Sequence, residues 1–147
     1  MKISNNFTLE ELTDSPTAVR MNLSCTPSSL ARANLYSLVN NVLQPLRDAL
    51  GPVIVTSGYR SPELNKIIGG SPNSQHCLGQ AADIRVLGKS VIEVCNYIDQ
   101  SDIIYDQLIY EGTWVHVSYN KLGNRRNKLT AVFSNNKVSY IQGIPKL

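Results

Sequence analysis

With 147 residues, 42% hydrophobic and 17% charged, the chain suits one globular domain around one core and is neither a disordered nor a fibrous polymer. The net charge is only +3 and the basic residues are scattered, which argues against a nucleic-acid surface; the one basic cluster, Arg125-Arg126 with Lys128, reads as a solvated turn. No apolar run approaches the roughly 20 residues of a bilayer span, and the polar start, Met1 to Thr8, lacks the apolar stretch of a signal peptide. The expectation is synthesis in the cytoplasm without an export signal, with delivery to any external substrate left to another agent such as a lysis pore or a virion.

In chain order, Phe7 to Leu12 carries a short-helix signature. Thr8 and Glu11 stand at capping-box spacing, and Phe7 with Leu12 can form a hydrophobic staple. A polar linker is expected over residues 13–25. Thr26 then caps a long helix with Pro27 in its first turn, and Leu35, Leu38, Val39, Val42, Leu46 and Ala49 form its buried stripe. Pro45 should kink it and Gly51 end it. Val53-Ile54-Val55 is a short buried strand running into Thr56-Ser57-Gly58-Tyr59-Arg60. A brief helix is expected over residues 61–68, with Ser61 as cap, followed by loop over 71–75. Residues 81–86 read as a strand and 90–100 as an amphipathic helix. Strands at 106–110 and 114–119 flank a tight turn, and a last hairpin, 129–133 with 137–141, turns at Asn135-Asn136. Strands joined mostly by hairpins predict an α+β fold: an antiparallel sheet with helices packed mainly on one side. There is no internal repeat, so 1–147 reads as one domain and, by expectation, a monomer.

The chain contains only two histidines, His76 and His116. Asp83 follows His76 by seven residues, within Gly79-Gln80-Ala81-Ala82-Asp83-Ile84. His116 lies in the alternating strand Trp114-Val115-His116-Val117-Ser118-Tyr119, where the valines face the core and Trp114, His116 and Ser118 share the other face. Zn²⁺ accepts imidazole nitrogen and carboxylate oxygen, and a catalytic zinc keeps one position open. Two histidines and one aspartate meet that need. Taken singly, each histidine is as well read as a surface or sheet-face histidine, and Asp83 as a turn residue. Three cysteines, Cys25, Cys77 and Cys95, are odd in number and far apart, so no disulfide framework is expected. Cys25 and Cys95 read as small core residues, and Cys77 as a bystander beside His76.

Three stretches together resemble the M15 family of zinc peptidases: Ser57-Gly58-Tyr59-Arg60-Ser61-Pro62 through Asn65, Ser74-Gln75-His76-Cys77-Leu78-Gly79-Gln80-Ala81-Ala82-Asp83, and Trp114-Val115-His116-Val117-Ser118. The resemblance runs from about Phe7 to Tyr119. It implies one Zn²⁺ held by His76, Asp83 and His116, the small α+β fold shared with the hedgehog signalling domain, and hydrolysis of peptide bonds in peptidoglycan stem peptides. The family includes D-Ala-D-Ala carboxypeptidases and L-Ala-D-Glu endolysins, so a phage or prophage lysis role is one expectation.

The resemblance also implies an acidic general base, usually three residues before the last histidine. Here Thr113 stands at that place. If Gly112-Thr113 is a two-residue hairpin turn, Glu111 pairs with Trp114 and Ile109 with His116, which puts Glu111 on the histidine's face. Asp106, the alternative base, would then face away. By resemblance Arg60 grips the substrate, the alternative being a surface pair with Glu63. Ser74, Gln75 and Trp114 are candidate substrate contacts, Ser74 and Gln75 alternatively supports for the His76 loop; Ser118 is a possible partner behind the metal. The competing functional reading is a non-catalytic, zinc-stabilised wall-binding or structural module of the same fold.

Overall fold

Capping side chains decide where the helices begin. In the computed structural model, which describes residues 1–147, Thr8 and Glu11 close the expected capping box on α1 (Leu9–Thr13). The stretch expected to be linker contains a second short helix, α2 (Pro16–Arg20), because Ser15 caps Ala18 N–H and Pro16 is pre-set for the first turn. The long helix, α3 (Ser29–Leu38), starts two residues beyond the expected cap. Ser28, not Thr26, accepts the Ala31 N–H. A π-helical segment (Val39–Leu43) joins it to α4 (Gln44–Leu50). Pro45 has no N–H to give, and the strain is absorbed by the widened turn before it.

Beyond Gly51 come β1 (Val53–Ser57), α5 (Pro62–Ile67) capped by Ser61, a 3₁₀ turn (Gln75–Leu78), β2 (Ala81–Val86) and α6 (Val91–Gln100). The last four strands are β3 (Gln107–Tyr110), β4 (Val115–Ser118), β5 (Asn127–Ser134) and β6 (Lys137–Gln142). All six strands form one sheet in the order β1-β2-β4-β3-β5-β6. The expectation of a wholly antiparallel sheet is corrected at one seam, because β5 pairs with β3 in parallel. The reason is topological. The outer edge of β4 is already taken by β2, so the chain leaving β4 reverses once and adds to the free edge of β3.

Leu108, Val115, Val117, Ala82 and Ile84 from one sheet face join Leu35, Leu38, Val42, Leu46, Val94 and Ile98 from the helices in a single core. The period-2 pattern therefore leaves His116 and Asp83, paired directly across β4 and β2, on the opposite face. The final turn is as expected, with Asn135 and Asn136 both at positive φ (51° and 62°), the two-residue hairpin geometry that asparagine tolerates.

Candidate metal centre and substrate cleft

His76 sits on the 3₁₀ turn, not in the open loop expected before it. Ser74 accepts its N–H, and Gly79 ends the turn at φ 73° with Ala31 O only 2.2 Å from where a Cβ would stand. Its ring is fixed from behind, because Nδ1–H donates to Gly58 O at 2.7 Å. A carbonyl can only accept, so Nε2 carries the free lone pair. Gly58 can be nothing larger, since a Cβ would lie 2.3 Å from Leu12 O. Beside it, Tyr59 N–H donates to Leu12 O, and Arg60 N–H donates to His76 O. The segment before α5 and the histidine turn are thus latched to each other.

Asp83 projects from β2 opposite a bulge in β1 between Val55 and Ser57. Its Oδ1 lies 3.3 Å from His76 Nε2 and 3.3 Å from His116 Nδ1. A tetrahedron with metal–ligand arms of about 2.0 Å has edges of about 3.3 Å. The three donor atoms all fall within 4.8 Å of one another, and all three residues are buried. Burial opposes the negative charge on Asp83, yet the two histidines outweigh it and hold its carboxyl below the usual range. His116 Nε2 is buried with no hydrogen-bond partner, an arrangement that costs about 1–3 kcal/mol for an ordinary buried polar atom. The donor set, and the spacing of Asp83 Oδ1 to His76 Nε2 and to His116 Nδ1, fit a bound divalent metal.

Around this triad lies a cleft of about 580 Å³ lined by, among others, Arg60, Ser74, Gln75, Glu111 and Trp114. Arg60 does not pair with Glu63. Its Nη2 lies 3.3 Å from Asp83 Oδ2, with Nε on Ser57 and Nη1 on Asn65. The β3–β4 register pairs Tyr110 with Val115 and Ile109 with His116, and Glu111 N–H donates to Trp114 O. Glu111 therefore stands on the His116 face, as the turn length predicts. Its Oε2 accepts from Trp114 Nε1 at 2.9 Å. Burial first, and the charge of Asp83 second, push its carboxyl up. Trp114 thus orients the carboxylate as well as lining the cleft.

Asp106 is wired differently. Its carboxylate accepts the Arg125 backbone N–H, both arms of the Arg125 guanidinium, and Gln75 Nε2. Those donors outweigh burial and hold the carboxyl low. It does not line the cleft. Gln75 is therefore a support as well as a lining residue, and Ser74 a cap as well as a lining residue. Ser118 accepts Gln107 N–H instead of backing the metal. Cys95 is buried, whereas Cys25 and Cys77 are half-buried and none is paired; Cys25 is not the core residue expected. Among the cleft residues outside the motifs are Arg125, Leu129, Val138 and Tyr140. The register of the last two strands brings Leu129, Val138 and Tyr140 there, and Arg125 is held by Asp106.

A peptidase M15 family model matches residues 5–118, and the chain belongs to that family. Among curated proteins, the zinc D-Ala-D-Ala carboxypeptidase of Streptomyces albus G is 41% identical over 59 residues, 39% of this chain and 23% of the relative. The match thus spans under a quarter of that relative's length.

Proposed function

We propose that the chain is a zinc metallopeptidase that hydrolyses an amide bond in peptidoglycan stem peptides. The observation that carries this reading is a buried His76–Asp83–His116 set whose donor atoms lie within 4.8 Å of one another, opening into a cleft that also holds a carboxylate with a raised pKa. Family membership and the named activity of the Streptomyces relative supply the substrate class. A zinc ion held by the triad supplies Lewis-acid polarisation of water and of the scissile carbonyl.

The residues do the rest. Glu111 sits on the triad's face with one oxygen fixed by Trp114, so the other is free to take a proton from water and return it to the leaving amine. Its raised pKa brings it nearer the leaving group's needs than an ordinary carboxylate. Arg60 presents a guanidinium at the cleft, able to hold a substrate carboxylate or carbonyl. A non-catalytic zinc module has no need of an acid in Glu111's place.

The candidate bonds are the terminal D-Ala–D-Ala amide and the internal L-Ala–D-Glu amide. Digestion of purified muropeptides, with mass analysis of products, separates them. We expect cleavage of one bond that stops with chelator and returns with zinc. Intact substrate under both conditions overturns the enzymatic reading.

A further inference from the structure

The family match ends at residue 118, yet the cleft does not. Ile109 pairs with His116 on β4 and with Leu129 on β5. Continuing along β5, Ala131 pairs with Tyr140 and Phe133 with Val138 on β6. Side chains at paired positions share a face, and the alternation carries that face every second residue. Leu129, Phe133, Val138 and Tyr140 therefore extend the sheet face that carries His116 and Glu111. Carrying the β3–β5 register one residue further sets Ala131 beside Glu111. Glu111, Ala131 and Tyr140 thus form one row across three strands. Two strand spacings are about 9.6 Å, and the small Ala131 between them leaves room for a tyrosine ring to lean across. Tyr140, although 48% exposed, lines the same cleft as Asp83, His116 and Glu111. Burial first, then the charges of Glu111 and Asp83, push its phenol up, so it stays a hydrogen-bond donor at neutral pH.

We propose that the β5–β6 hairpin is the far wall of the substrate cleft, and that Tyr140 is a specificity-determining residue whose hydroxyl donates to a carbonyl oxygen of the bound peptide. In strand order Arg60, just after β1, and Tyr140, on β6, flank the Asp83–His116 pair. The peptide is held from both sides of the reacting bond, by a cation on one side and a neutral donor on the other. Leu129 and Val138 beside Tyr140 make that wall apolar, suited to the aliphatic side chains of a stem peptide. This inference rests on the peptidase reading above.

The test uses a soluble muramyl pentapeptide, which contains both candidate bonds. Tyr140→Phe keeps the ring and removes the donor. We expect KM to rise about tenfold with kcat within about twofold, the signature of lost uniform binding, and the same tenfold loss of affinity when the pentapeptide is titrated calorimetrically into Glu111→Gln/Tyr140→Phe against Glu111→Gln alone. Ser139→Ala, on the other face of β6, should match wild type. Circular dichroism melts of each variant confirm the fold. If the wild-type protein neither binds nor cleaves the pentapeptide, the peptidase reading fails and takes this inference with it. If wild type cleaves and Tyr140→Phe shows unchanged KM and affinity, the inference alone is overturned.

Discussion

The two ends of strand β3 carry one carboxylate each, and the fold treats them in opposite ways. At the entry end, Asp106 is saturated: backbone, guanidinium and amide donors all point at it, and its charge is stabilised. It holds the crossover that lets β5 reach β3, since Asn127 N–H also donates to Asp106 O. At the exit end, Glu111 receives one neutral donor, from Trp114, and burial with the charge of Asp83 outweighs that donor and the nearby His116 and Arg60 and pushes its carboxyl up. Five residues apart, at the two ends of one strand, one acid is held by four donors and the other by one.

The sharpest way to break that comparison is at the reactive end. Glu111→Gln should lower turnover of muropeptides by about 10²–10⁴-fold, the usual contribution of a general acid–base group. Zinc content by atomic absorption should match wild type. Turnover within tenfold of wild type would remove the distinction between the two acids. The inert end answers in stability. Asp106→Ala leaves the Arg125 backbone N–H and Gln75 Nε2 unpaired, and should destabilise by about 2–4 kcal/mol in urea denaturation while zinc still binds. The value sits below that of a fully buried pair because the Arg125 side chain is 61% exposed.

Ser118→Ala removes the acceptor that the fully buried Ser118 of β4 offers to Gln107 N–H at the start of β3, and should cost about 1 kcal/mol by the same measurement. The smallest effect should be opposite in sign. In metal-free protein the folded pKa of Glu111 lies above its unfolded value, so its contribution to stability is greatest at low pH and is lost as pH rises through the folded pKa. Asp106 is lowered, so its contribution is present above the unfolded carboxylate range and is lost as pH falls through its folded pKa. Chelated Glu111→Gln should therefore melt slightly higher than chelated wild type at pH 7, and the gap should close on acidification. A lower melting temperature at pH 7 would mean that Glu111 is a satisfied, structural acid like Asp106.

The triad and Glu111 were legible before the fold because each rests on local rules. The strand alternation Trp114 to Tyr119 puts His116 opposite the core valines, and a two-residue turn at Gly112-Thr113 forces the Glu111–Trp114 pairing. Helix starts were less legible where two caps compete. Thr26 and Ser28 are both good candidates, and tertiary packing of Ala31 and Leu35 favoured the second. The π-helical turn before Pro45 and the helix at Ser15-Pro16 are local compromises that hydrophobic periodicity does not report. The parallel seam between β3 and β5 was out of reach because it depends on which sheet edge is free, a property of the whole topology. With the seam hidden, Leu129, Val138 and Tyr140 could not be assigned to the cleft, and Asp106 read as a possible base instead of a clamp.

The same seam makes the hairpin a separable part. It joins the sheet through the single ladder from Gln107–Asn127 to Tyr110–Thr130, and the metal ligands, Arg60 and Glu111 all precede it in the chain. A two-stranded insert of different sequence, joined at residue 127 with Asp106 and Arg125 kept, would exchange one wall of the cleft and leave the chemistry standing. Diversity in what such a scaffold cuts can then arise by trading a C-terminal ribbon of some sixteen residues, Asn127 to Gln142, while the reactive centre stays constant.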